Sequence, residues 1–157
     1  MSESTKAGGG LAQKILVGTD GSETASIAVR RATSIAAANG AELVIVSAYS
    51  ARPPGKLGSG IGSSDAAWAA TAEAAAREHV NGAVQAAKDA GVAAVSGDAV
   101  AGDPAEVLLS EAEKRGVDLL VVGSKGMQSS SRFLLGSVPN NVSHHTPCDL
   151  LIVRTTK

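Results

Sequence analysis

Residues 123–137 read GSKGMQSSSRFLLGS, so three glycines and a hydroxyl side chain fall in the spacing Gly-x2-Gly-x9-Gly-Ser. They follow a run of apolar β-formers, 117–122, interrupted by Asp118, and lead into a segment that reads as a helix start. Glycines at a strand-to-helix junction let backbone N–H groups close on an anion, and the positive end of a helix favours phosphate there. On this reading Gly123, Gly126 and Gly136 form a cradle, and Ser137 and Val138 present their amides to it. Glycine also turns chains everywhere, and composition by itself favours that plainer role. The spacing, and the junction at which it falls, reverse the preference. Asp20 is the second candidate. It follows the apolar run 14–19, where a carboxylate can accept from a ribose hydroxyl or an adenine amino group. An Asp-Gly turn explains it equally well.

Other chemistries lack their patterns. There is no Gly-x4-Gly-Lys-Ser/Thr, which argues against a P-loop, and Gly18-x2-Gly21 lacks the third glycine of a dinucleotide fingerprint. His144 and His145 are adjacent, so they point different ways on a helix. Near a helix C-terminus their expected role is to complement the dipole. Cys148 precedes a strand and reads as a small buried apolar residue. Trp68, at the start of a long helix, reads as a packing or interface anchor. Ser129 to Ser131 read as an exposed polar stretch, and Arg132 as either a phosphate partner or a solvated cation. No nucleophile–base set or metal cluster can be assembled.

Periodicity supplies the elements that must hold these residues. Strands are expected over 14–19, 41–49, 92–100, 117–122 and 149–155. Helices are expected over 23–39 after Ser22, from Asp65 to about Ala90, from Pro104 to about Arg115 behind a capping Asp103, and over about 138–145. The Pro-, Gly- and Ser-rich stretch 50–64 is a loop. Strict β-α alternation predicts an α/β fold: a parallel five-stranded sheet with four helices distributed over both faces. Ligands of such sheets bind beyond the carboxyl ends of the strands, where strand order reverses. If the order is 3-2-1-4-5, the segments 18–22 and 123–137 share one crevice.

Composition narrows the partners. A chain of 157 residues with 44% hydrophobic content suits one domain. Aromatic residues are only 2%, which leaves no stacking platform for single-stranded nucleic acid. A net charge of −1 gives no pull toward nucleic acid or an anionic membrane surface. The single cysteine forbids an internal disulfide and suits a reducing cytoplasm. Residues 1–12 read as a mobile polar tail without a secretory apolar segment, and 13–157 as the domain. No apolar stretch is long enough for a membrane-spanning helix.

From about Gln13 to Thr156 the chain resembles the universal stress protein family. The residues that carry the resemblance are ILVGTDGS at 15–22, GDP at 102–104, DLLVVGS at 118–124, the glycine spacing above, and DLLIVR at 149–154. The resemblance implies a Rossmann-like three-layer sandwich that binds an adenine nucleotide between strands one and four. By that resemblance Thr19, Asp20 and Ala48 surround adenine and ribose. Gly123, Gly126, Gly136, Ser137 and Val138 contact ribose and phosphates. ATP, with Mg2+ as its companion, or cyclic AMP is the implied ligand. The implied assembly is a homodimer through the last strand, Leu150 to Val153. The implied role is a cytoplasmic sensor or nucleotide reservoir in a stress response. A slow ATPase or autophosphorylating protein, and an interaction module with an empty site, are the alternatives. One departure stands out. Pro139 occupies a position where many ATP-binding members carry Ser, Thr or Ala. The segment GSVPNNVS at 136–143 resembles small actinobacterial members associated with cyclic AMP binding.

Overall fold

The computed structural model describes residues 12–53, 63–124 and 135–155. The expected tail lies outside these residues except for Ala12, which is partly buried against the core. In chain order the elements are β1 (Lys14–Gly18), α1 (Glu23–Asn39), β2 (Glu42–Tyr49), α2 (Ser63–Asp89), β3 (Val95–Ala101), α3 (Pro104–Arg115), β4 (Leu119–Gly123), α4 (Ser137–His145) and β5 (Asp149–Val153). The five strands form one parallel sheet, as the alternation predicts, in the order β3-β2-β1-β4-β5 under which the ends of β1 and β4 are neighbours.

Both faces of the sheet are apolar because successive strand residues point to opposite sides. Ile15, Val17, Leu43, Ile45 and Val121 pack beneath α1 and the C-terminal part of α2 through Ala28, Ala32, Ala36 and Ala87. Leu16, Val44, Val46, Leu120 and Val122 pack beneath α3 and α4 through Ala105, Leu108, Ala112 and Val142. Alanines on the helices and branched residues on the strands explain how a core with so few aromatics closes. At the end of β1, Gly18 lets α3 come close, since a Cβ there would lie 2.9 Å from Leu108 Cδ1.

The helix ends follow local chemistry. Ser22 Oγ accepts the Ala25 N–H at 3.1 Å and opens α1. Asp103 accepts the Glu106 N–H at 3.2 Å, with Pro104 in the first turn, and opens α3. Several boundaries differ from the sequence reading: β1 ends at Gly18, β2 starts at Glu42, β4 spans Leu119–Gly123 and β5 ends at Val153, and two further differences have a visible local cause. α2 begins at Ser63, so Asp65 is not the cap but lies in the first turn, where its charge still meets the positive helix end. β3 begins at Val95, not Val92, because the Val92 N–H is taken by Ala87 O at 3.1 Å as part of the helix end. Asp118, which interrupts the apolar run before β4, accepts the Gln13 N–H at 3.1 Å and the Lys14 N–H at 3.2 Å. It thereby fastens the start of β1 to the start of β4.

Candidate functional site

All five strands run parallel, so their carboxyl ends lie along one edge of the sheet. β1 is central, with β2 on one side and β4 on the other, and the order reverses at the β1–β4 boundary. The last β1–β4 pair is Val17 with Val121, so Gly18 to Asp20 and Val122 to Ser124 continue past it. On the other flank the last β1–β2 pair is Gly18 with Val46, and β2 runs on through Ala48 to Tyr49. Thr19 remains attached there through its N–H to Val46 O at 2.9 Å.

The chain after β1 is a tight polar turn. The Gly21 N–H donates to Thr19 Oγ1 at 3.1 Å, and the Ser22 N–H donates to Asp20 Oδ1 at 2.9 Å. Asp20 therefore performs the turn role, and its exposed side chain keeps Oδ2 without a partner among the described residues. Gly21 sits at φ 81°, and a Cβ there would lie 2.5 Å from His79 Nδ1. The backbone conformation requires glycine at this position, and a side chain there would also have to displace the exposed ring of His79, reaching over from α2.

The start of α4 forms the opposite wall. Gly136 is its N-cap, with φ −64° and ψ 168°, and supplies no side-chain cap. The first amide bonded within the helix is that of Asn140, which donates to Gly136 O at 3.1 Å. Ahead of it, the Ser137 and Val138 amides have no acceptor among the described residues, and Pro139 has no N–H. Two directed donors at the positive end of a helix are suited to an anion. Pro139 is buried in the first turn, where its missing N–H interrupts no helical bond.

Ser124 joins the start of α4 to the end of β5. Its carbonyl accepts the Gly136 N–H at 2.9 Å, and its N–H donates to Val153 O at 2.7 Å. Its Oγ accepts the Thr155 N–H at 3.1 Å and lies 3.3 Å from Thr155 Oγ1.

Thus Thr19, Asp20, Ala48, Gly123, Gly136, Ser137 and Val138 all lie along the edge formed by the strand ends. Gly126, Ser129 to Ser131 and Arg132 lie outside the described residues. His79 and the Ser124–Thr155 pair are additions that the sequence does not announce. Ser124 ends the run DLLVVGS, but nothing in the sequence marks its partner 31 residues away.

The remaining reactive types take structural roles. Burial pushes the Cys148 thiol up, which disfavours the thiolate a nucleophile needs. His145 Nδ1 lies 3.1 Å from Asn141 O on its own helix, and His144 and His145 meet edge to face. The exposed Trp68 anchors to the end of β2 through Nε1–H to Ser50 O at 3.2 Å. Glu111 is buried on α3, with Arg115 Nε at 2.8 Å and Lys114 Nζ at 3.3 Å. Burial alone would raise its carboxyl, but those hydrogen bonds outweigh it and hold the group below the usual glutamate range.

Comparison with known proteins agrees with this fold. The sequence profile of the universal stress protein family matches residues 12–154. Universal stress protein Rv1636 of Mycobacterium tuberculosis is 39% identical over 142 residues, covering 90% of this chain and 96% of the relative. A universal stress protein solved in complex with cAMP is 36% identical, with TM-score 0.71, covering 93% of this chain and 99% of the other. UspA from Lactobacillus plantarum is 22% identical with TM-score 0.82, covering 92% of this chain and 99% of the other, and shares the fold. A match that spans nearly every described element, together with identity at this level over nine-tenths of the chain, places it: the protein belongs to the universal stress protein family.

Proposed function

We propose that this protein binds an adenine nucleotide, cyclic AMP or ATP, in the crevice between the ends of β1 and β4. It serves as a stress-response sensor or reservoir and not as a fast enzyme. The observation that carries this reading is the start of α4. Gly136 leaves the helix without a side-chain cap, and the Ser137 and Val138 amides are offered at the edge where β1 and β4 part. A phosphate supplies the acceptor that those donors lack. Asp20 Oδ2 and the Ala48 stretch of β2 lie on the opposite side and would receive the nucleoside. Mg2+ accompanies ATP in this proposal, carried on its phosphates. The similar protein solved with cAMP supports the choice of an adenine ligand.

The proposal includes a homodimer through β5. That strand lies at a sheet edge, and Leu150, Leu151 and Ile152 are only partly buried. An apolar edge is protected by pairing with a second copy. Light scattering should give twice the chain mass, and Ile152→Lys should halve it. Cys148 as the sole cysteine suits the cytoplasmic location proposed with it.

Mass spectrometry of ligand released by denaturing the purified protein, followed by calorimetric titration with cyclic AMP and with Mg-ATP, tests the central reading. An adenine nucleotide bound in the micromolar range or tighter is expected. Absence of binding to both would overturn it, and rapid phosphate release from ATP would move the protein to the ATPase reading.

A further inference from the structure

The Ser124–Thr155 contact adjoins the start of α4, which carries the proposed phosphate donors. Ser124 bonds the end of β5 through its N–H and hydroxyl and the start of α4 through its carbonyl. Its N–H goes to the last residue of β5, through Val153 O at 2.7 Å, and its carbonyl holds the Gly136 N–H at 2.9 Å. Its hydroxyl takes the Thr155 N–H at 3.1 Å and faces Thr155 Oγ1 at 3.3 Å. Thr155 is buried, so its amide has little water to turn to if the hydroxyl is removed. Gly136 in turn is the N-cap of α4, one residue before Ser137 and two before Val138. A single bonded path therefore runs from the end of β5, through Ser124, to the two amides.

We infer that Ser124 and Thr155 are positioning residues for phosphate recognition: they hold the α4 N-terminus in register with the end of β4. The inference rests on the nucleotide-binding reading above and deepens it. Directed donors bind an anion well only when held within a few tenths of an ångström of the right place, and a rotating N-cap would lose that alignment. A residue that acts this way affects the phosphate end of the ligand and leaves the nucleoside end alone. Thr19, Asp20 and Ala48 are attached to β1 and β2, not to Ser124.

The test titrates the full chain and its variants with cyclic AMP, Mg-ATP and adenosine, with thermal melting alongside. Ser124→Ala should weaken cyclic AMP and ATP about tenfold and leave adenosine within about twofold. Ser124→Thr, which keeps the hydroxyl, should restore both. Thr155→Val keeps the backbone bond to Ser124 and removes the threonine hydroxyl. It should give a smaller loss with the same pattern, and it remains informative if Ser124→Ala does not fold. Unchanged affinity for all three ligands in a folded variant would overturn the inference. So would an equal loss for adenosine, which would mean that the pair merely supports the fold. Failure of the unsubstituted protein to bind cyclic AMP and ATP is a different result, and it refutes the nucleotide reading itself.

Discussion

Replacing Pro139 by alanine isolates a single backbone amide. In α4 the N-cap is Gly136 and the first amide used inside the helix belongs to Asn140. The three residues between them are the ones free to face an anion, and one of the three is proline. Pro139→Ala therefore raises the donors at this end from two to three, with no new side-chain group to confuse the count. A hydrogen bond to a charged acceptor is worth about 1.5–3 kcal/mol, or roughly ten- to a hundredfold in affinity. A ligand with a chain of phosphates can use the extra donor, whereas a cyclic monophosphate is already served by two. The buried ring is also lost, and the freer unfolded chain costs about 0.4–1 kcal/mol of stability. That cost is common to both ligands and cancels in their ratio. The native protein should bind cyclic AMP at least as tightly as ATP, and the variant should shift the ratio at least about fivefold toward ATP. Competition titrations of both proteins with both ligands read the ratio directly. A native protein that strongly prefers ATP, or a ratio that the substitution leaves unchanged, would refute the role given to the missing amide.

Other expectations concern the scaffold around the site. Gly21→Ala should cost about 1–2 kcal/mol from its left-handed φ alone, and more from the collision with His79. Adding His79→Ala should recover only the second part, so equal melting temperatures for the single and double variants would show that the ring does not press on the turn. The Glu111 carboxyl is held below its unfolded value, so the stability it contributes is present above the usual glutamate range and is lost as pH falls through the folded value. Glu111→Gln should therefore be less stable than the native protein at neutral pH and converge with it in acid. Parallel acid-denaturation curves would count against the Arg115 and Lys114 contacts as the cause.

The fold was largely legible because its signals are local and repeated. Apolar runs of five or so residues alternate with alanine-rich helical stretches, and Ser22, Asp103, Gly40 and Gly116 punctuate them where the helices begin and end. Two of the misplaced boundaries share a cause. Asp65 has the right chemistry for the end of a helix but sits in its first turn, and Val92 is an apolar β-former that the preceding helix claims. The location of the candidate site was legible for a different reason. Glycines recur after both β1 and β4, with Asp20 after β1, and a parallel sheet permits few orders in which those ends meet. What the sequence concealed is contact between distant residues. Nothing near Asp118 announces that it will receive the amides of Gln13 and Lys14, and nothing near Thr155 points to Ser124. Such pairs have no spacing rule, because the sheet and not the helix period brings them together.

The strand order also dictates a sequence of events as the polypeptide is made. β1, β2 and β3 emerge first, and β1 can pair with β2 and β2 with β3, but they leave one side of β1 bare. β1 becomes the middle of the sheet only when β4 arrives, about a hundred residues later, as the Gln13–Asp118 separation of 105 shows. Until then the nascent half-sheet carries an unpaired apolar strand edge, the kind of surface on which partly made chains associate with one another. Loop closure over that length is also a slow step compared with pairing of neighbours. The strand that later bounds the proposed ligand crevice is thus flanked on both sides only once the second half of the chain is made, and the first half has no closed crevice of its own.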